Sequence, residues 1–217
     1  MNKHKILSRR GAVLGAALAV CAPMALSLSF APAAQAQSGD LDRAVAALRA
    51  IETMQATFVQ TDRNGQRANG TLTLKRPGRI RFQYAPGIPM LIVSDGSALT
   101  MIDYQVRQVQ RWPIKNSPLG ALLDPARDVK KYGTLLGSGD PNWVLVEVRD
   151  RSHPEYGVMT FRFQRKAGAP GGLELAGWTT LDSQNKRTAV ALSGQRYGIA
   201  VPDSMFKYND PRRPTRR

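Results

Sequence analysis

From Asp40 the apolar residues Leu41, Val45, Leu48 and Ile51 return every three or four positions. That is the spacing of one buried helical face, and Asp40 stands where an N-cap would. Near Met54 the period falls to two: Met54, Ala56 and Phe58 share one side of a predicted strand, and Gln55, Thr57 and Val59 the other. The alternation persists through Arg67–Arg76 and Arg79–Ala85, strands joined by a Pro77-Gly78 bend. Ile80, Phe82 and Tyr84 then form an apolar face, and Arg79, Arg81 and Gln83 its basic, wet reverse. Pro89–Ser94, the Asp95-Gly96 hairpin turn, Ala98–Tyr104 and Arg107–Trp112 continue the meander.

The helical period comes back between Ser117 and Gly139. Pro118 stands at a helix start, followed by Leu119, Leu122, Leu123, Val129, Tyr132, Leu135 and Leu136, which predicts two short helices. Four further strands are predicted near Trp143–Asp150, Gly157–Gln164, Leu173–Leu181 and Arg187–Tyr197. About ten antiparallel strands with few helices imply a mainly β protein, a sandwich or a barrel, whose helices can cover an open face.

The two ends of the chain read differently. Lys3, Lys5, Arg9 and Arg10 precede an apolar stretch from Gly11 to Phe30, and Ala34-Gln35-Ala36 supplies a small-x-small cleavage site. Residues 1–36 are therefore expected to be an export signal rather than an anchor, since Pro23 and Pro32 interrupt the stretch and no basic flank closes it. Ser8-Arg9-Arg10 leaves both the general and the twin-arginine route open. Cys21 follows Val20, where a lipid-attachment site wants a small residue. Residues 37–210 suit one domain, and 211–217, Pro-Arg-Arg-Pro-Thr-Arg-Arg, read as a disordered basic tail.

Composition narrows the chemistry. The chain has 31 Lys and Arg against 16 Asp and Glu, a balance that favours anionic partners. Its only cysteine lies in the leader and its histidines are His4 and His153. A Cys/His zinc site, a thiol nucleophile and a redox pair are thus excluded from the mature chain, and a hydrolase would have to use His153. That residue stands in the polar stretch Arg151-Ser152-His153-Pro154-Glu155, where an exposed imidazole is the simpler expectation. Asp95, Asp103 and Asp124 fit turn and cap duty. No phosphate-cradling motif is present, and Phe82 and Tyr84 lie opposite Arg79 and Arg81, the wrong arrangement for stacking nucleic-acid bases. No catalytic, metal or cofactor site is expected.

What remains is an apolar sheet face that is either a plain core or a cavity wall. Arg76 bears on the choice. It shares the parity of Leu72 and Leu74, where a cation is costly unless paired, and its five donors suit several helix carbonyls at once, as in a latch between sheet and lid.

Met54-Gln55-Ala56-Thr57-Phe58-Val59-Gln60, Gly70-Thr71-Leu72, Lys75-Arg76-Pro77-Gly78-Arg79-Ile80-Arg81-Phe82 and Val93-Ser94-Asp95-Gly96 resemble, in order and spacing, the periplasmic outer-membrane lipoprotein carrier family of LolA type. The resemblance implies an unclosed antiparallel barrel of about 10–11 strands under a lid of short helices. It implies a cavity for lipoprotein acyl chains, received from an inner-membrane lipoprotein-releasing transporter and delivered to an outer-membrane receptor or membrane surface. The protein would be a periplasmic, non-enzymatic monomer. Arg76 matches the family's lid latch, and Ile80 stands where the family has a cavity aromatic, with Phe82 two positions on. The implied lining is Leu48, Met54, Phe58, Leu72, Leu74, Ile80, Phe82 and Tyr84, and Arg79 and Arg81 are expected to dock acidic partners or headgroups. The alternative on the same fold is a regulator that senses lipid or mislocalised lipoprotein during envelope stress.

Overall fold

The alternating segments pair into a single antiparallel sheet of eleven strands in a computed structural model that describes residues 33–124 and 127–212. In chain order they are β1 (Thr53–Thr61), β2 (Arg67–Lys75), β3 (Arg79–Tyr84), β4 (Met90–Asp95), β5 (Ala98–Asp103) and β6 (Gln108–Pro113). After the helical segment come β7 (Gly133–Leu136), β8 (Trp143–Arg149), β9 (Val158–Arg165), β10 (Leu173–Leu181) and β11 (Arg187–Tyr197). The spatial order is β6-β5-β4-β3-β2-β1-β11-β10-β9-β8-β7, so β6 and β7 are edges that do not pair with each other. The barrel is unclosed, as expected.

Between those edges the chain runs directly from β6 to β7 through a 3-10 turn (Ile114–Asn116), a first short helix and a second one. With α1 (Ala33–Ala50) placed first, these are α2 (Gly120–Leu123) and α3 (Val129–Tyr132). The lid is thus the connection that bridges the open seam. Every residue of α2 is buried, which explains why so short a helix keeps its place.

Curvature has a local origin. Register shifts interrupt the β1–β11 ladder beside Gln55 and the β9–β10 ladder beside Leu175, and such bulges bend strands and increase their twist. The inward face, α1 and the lid together enclose one apolar core. Helix α1 lies close to the turn between β9 and β10 because its contact face there is alanine. Ala44 and Ala47 are buried, and a Cβ on Gly171, whose φ is +63°, would stand 3.1 Å from the Ala47 backbone.

Two expectations need correction. Helix α1 begins at Ala33, not at Asp40, and so runs through Ala34-Gln35-Ala36; Asp40 binds Arg165 at 2.6 Å instead of capping. Leu135 and Leu136 belong to β7, because pairing with Val146 and Leu145 of β8 satisfies their backbone at the sheet edge. The segment after Tyr197, for which no element was predicted, packs on the sheet and includes a 3-10 turn (Asp203–Phe206). It straps the reverse of β4 and β5, where Val201 and Phe206 cover Leu91, Val93 and Ile102 in a second small core. The leader before Ala33, including Cys21, and the last five residues lie outside the described chain.

Candidate functional site

The motif around Arg76 builds a rigid corner. Gly78, at φ +68°, lies against Gly96, whose backbone would stand 2.7 Å from a Cβ placed there, so the β2–β3 and β4–β5 turns meet backbone to backbone. Ser94, fully buried, locks them: its Oγ donates to the Gly78 carbonyl at 2.7 Å and accepts from the Gly96 amide at 3.1 Å. Asp95 ties the second turn by accepting from the Ser97 and Ala98 amides, and its other oxygen meets Arg111 at 2.7 Å. These amides and the guanidinium outweigh partial burial and hold the Asp95 carboxyl below its ordinary range.

From this corner Arg76 reaches the end of α1. Its Nη2 donates to the Leu48 carbonyl at 2.7 Å and its Nε to the Ile51 carbonyl at 3.0 Å, while its own amide donates to the Glu52 carbonyl at 2.9 Å. These carbonyls close a helix C-terminus, where a cation also meets the favourable end of the helix dipole. Burial lowers the Arg76 pKa, and Arg49 adds to that, whereas Glu52 opposes it. The guanidinium therefore joins the sheet to α1, and it is α1 rather than α2 or α3 that it holds. Asp42 of α1 separately reaches Lys130 of α3 at 2.7 Å, so α1 is bonded both to the sheet through Arg76 and to α3.

The expected lining residues come together, but mostly as sealed core. Leu48, Met54, Phe58, Leu72, Leu74, Ile80, Phe82 and Tyr84 are all buried in the same cluster. Phe58 packs edge-on against Phe82 at 5.3 Å and Tyr84 at 5.2 Å. Tyr84 donates its hydroxyl to Gln60 Oε1 at 2.9 Å, and burial pushes its pKa up to about 12. Of the eight, Phe82 alone lines the remaining apolar space.

That space is a pocket of about 230 Å³ between the two halves of the sheet and the lid. Phe82, Ile92, Leu99 and Trp112 form one wall, Trp178 and Val190 the other, and Pro118 and Leu119 close it from the lid. Gln60, Thr180, Asp182, Lys186 and Thr188 make a polar rim. Its volume lies below the roughly 300–1,000 Å³ of ordinary ligand clefts, so a long chain needs the lid to move. The tryptophans and the lid residues were not anticipated. Trp178 and Trp112 carried a usable signal, since each is a large apolar side chain in a strand.

Other candidates resolve otherwise. Arg79 and Arg81 do lie on the reverse face, but they are not free: Arg79 binds Asp203 at 2.5 Å, and Arg81 donates to the carbonyls of Met205 and Lys207. His153 is exposed, bonded to Glu155 at 2.9 Å and stacked on Tyr156, and the neighbouring Ser152 hydroxyl is bonded to Asp150 rather than to the imidazole. Among the described residues no group of three or more His, Cys, Asp or Glu could hold a metal.

The sequence family described as outer membrane lipoprotein carrier protein LolA matches residues 49–209. An outer-membrane lipoprotein carrier protein of Dechloromonas aromatica is 30% identical over 188 residues, covering 81% of this chain and 86% of the relative. One from Xanthomonas axonopodis is 29% identical, over 74% and 79%. Among solved structures, a Pseudomonas aeruginosa MucA/MucB complex superposes with a TM-score of 0.48 at 16% identity, covering 80% of this chain and 62% of that one. A LolA superfamily protein of Nitrosomonas europaea gives 0.44 at 12%, over 79% and 97%. With a family match over most of its length and an unclosed antiparallel sheet, this chain belongs to the LolA family of outer membrane lipoprotein carrier proteins.

Proposed function

We propose that the protein is a non-enzymatic periplasmic carrier that shields the acyl chains of lipoproteins between the inner and outer membranes. It would take them from an inner-membrane lipoprotein-releasing transporter and pass them to an outer-membrane receptor or membrane surface. The observation that carries this reading is the apolar pocket between Trp112, Trp178 and the lid residues Pro118 and Leu119. Each buried methylene contributes about 0.8 kcal/mol, so acyl chains cross water only when covered. A carrier must also release them, which requires interactions special to the empty state; the Arg76 bonds to α1 supply such a term, because they hold the closed form.

Intrinsic fluorescence tests this directly. A triacylated lipopeptide brominated along its acyl chains should quench Trp112 and Trp178. It should spare Trp143, whose ring is covered by Arg162 at 4.1 Å. Quenching should persist in Trp143→Phe and fall in the Trp112→Phe/Trp178→Phe double variant. Quenching confined to Trp143, or none at all, would remove the cavity from the mechanism.

A further inference from the structure

On the reverse of β1–β3, across the sheet from the apolar pocket, lies a polar recess of about 380 Å³. Gln55, Thr71, Thr73 and Gln83 line it from the sheet, and Ser204, Met205 and Lys207 line it from the C-terminal strap. The register sets Arg196, Gln55, Thr73 and Arg81 in one row across β11, β1, β2 and β3. With strands about 4.8 Å apart, that row separates the backbones of its two arginines by about 14 Å, and Arg196 donates to Gln55 Oε1 between them.

The cations here outnumber the acids. Asp203 is taken by Lys75 and Arg79, and Asp210 is engaged by Arg212. Among the described residues no carboxylate pairs with Arg81, Arg196 or Lys207. Arg81 is nevertheless fixed in place, with Nη1 on the carbonyls of Met205 at 3.0 Å and Lys207 at 3.1 Å, and Nη2 on Gln83 Oε1 at 2.6 Å. Burial lowers its pKa, so it is a partly desolvated cation without a counter-ion. Met205 and Tyr104 stay exposed nearby, and Arg, Tyr and Met are the residues enriched at protein interfaces.

We propose that this recess receives an extended acidic segment of a partner protein, with successive carboxylates seated on Arg81, Lys207 and Arg196. A lone phosphate would engage Arg81 and Lys207, which adjoin, and leave Arg196 across the row unused, whereas an extended acidic segment can follow all three. A lipid surface is disfavoured because Arg81 is tied down inside the recess and does not reach outward. The site does not depend on what the apolar pocket binds, since the two occupy opposite faces of the sheet.

Fluorescein-labelled hexaglutamate provides the probe, read by anisotropy on the mature protein. Binding should weaken as salt rises, and Lys207→Glu and Arg196→Glu should each weaken it about tenfold or more, with Arg63→Glu on a distant hairpin as an unchanged control. Neither test residue holds the fold through an ion pair, so loss of folding is not the expected cause, and unaltered thermal unfolding checks it. Absent binding, or equal binding by all three variants, overturns the proposal. So does capture by phosphatidylglycerol vesicles that hexaglutamate fails to compete. Lipopeptide quenching in the same variants reports separately on the cavity.

Discussion

The carbonyls of Leu48 and Ile51 would lose their side-chain donors if Arg76 were cut back to a hydrocarbon. Arg76→Leu should therefore lower stability by about 1–3 kcal/mol, the usual cost of stranding buried acceptors, while leaving the fold standing. If, as proposed, the lost bonds belong to a closed form, cargo release should slow and loaded protein accumulate, measured as transfer of lipoprotein to outer-membrane acceptors. Transfer as fast as wild type would show that the bonds to α1 serve stability alone. Tyr84 gives a pH test. Its folded pKa of about 12 exceeds the ordinary value of 10, so the folded state holds the phenolic proton more tightly than the unfolded chain. That contribution is complete below pH 10 and lost as pH climbs towards 12, and Tyr84→Phe should flatten the fall in melting temperature over this window. At this scale the sequence was informative wherever parity decides: the inward set from Met54 to Tyr84 followed from alternation alone. Partners were harder to read. Nothing local announced that Arg79 would meet Asp203, 124 positions away.

Elements were legible to the degree that their period was undisturbed. β10 and β11 have the predicted bounds, whereas β7 was hidden because Leu135 and Leu136 continue a helical spacing begun by Val129 and Tyr132. Only the partner strand β8 reveals it, through long-range pairing that a local pattern does not contain. The C-terminal strap was missed for a related reason: Ile199, Val201 and Phe206 have no period, and their burial depends on the apolar reverse of β4 and β5. The strap should nonetheless matter to the whole fold. Phe206 is 5% exposed, and Phe206→Ala should cost about 3 kcal/mol, read as a lower denaturant midpoint with unchanged slope. Increased binding of a hydrophobic dye is expected with it, because Leu91 and Val93 would then meet water.

For the molecule as a whole, the expected export signal sets the first test. If the signal is cleaved after Ala36, intact mass of periplasmic protein should correspond to a chain beginning at Gln37, and a species retaining lipidated Cys21 would rule out a freely diffusing carrier. The unclosed sheet has its own consequence for the loaded state. A closed barrel has no edges, but β6 and β7 each offer one flank of backbone amides and carbonyls without a neighbouring strand, and at rest the β6–β7 connection lies over the seam between them. If that connection lifts to admit acyl chains, as the proposed function requires, both flanks gain access to water and to other chains. Hydrogen exchange should then quicken along Gln108–Pro113 and Gly133–Leu136 ahead of β1 and β11, which are paired on both sides. Under the proposed carrier function, a cargo-filled molecule would also be the one most able to recruit a foreign strand, and prompt delivery would protect the protein from self-association as well as its lipid from water.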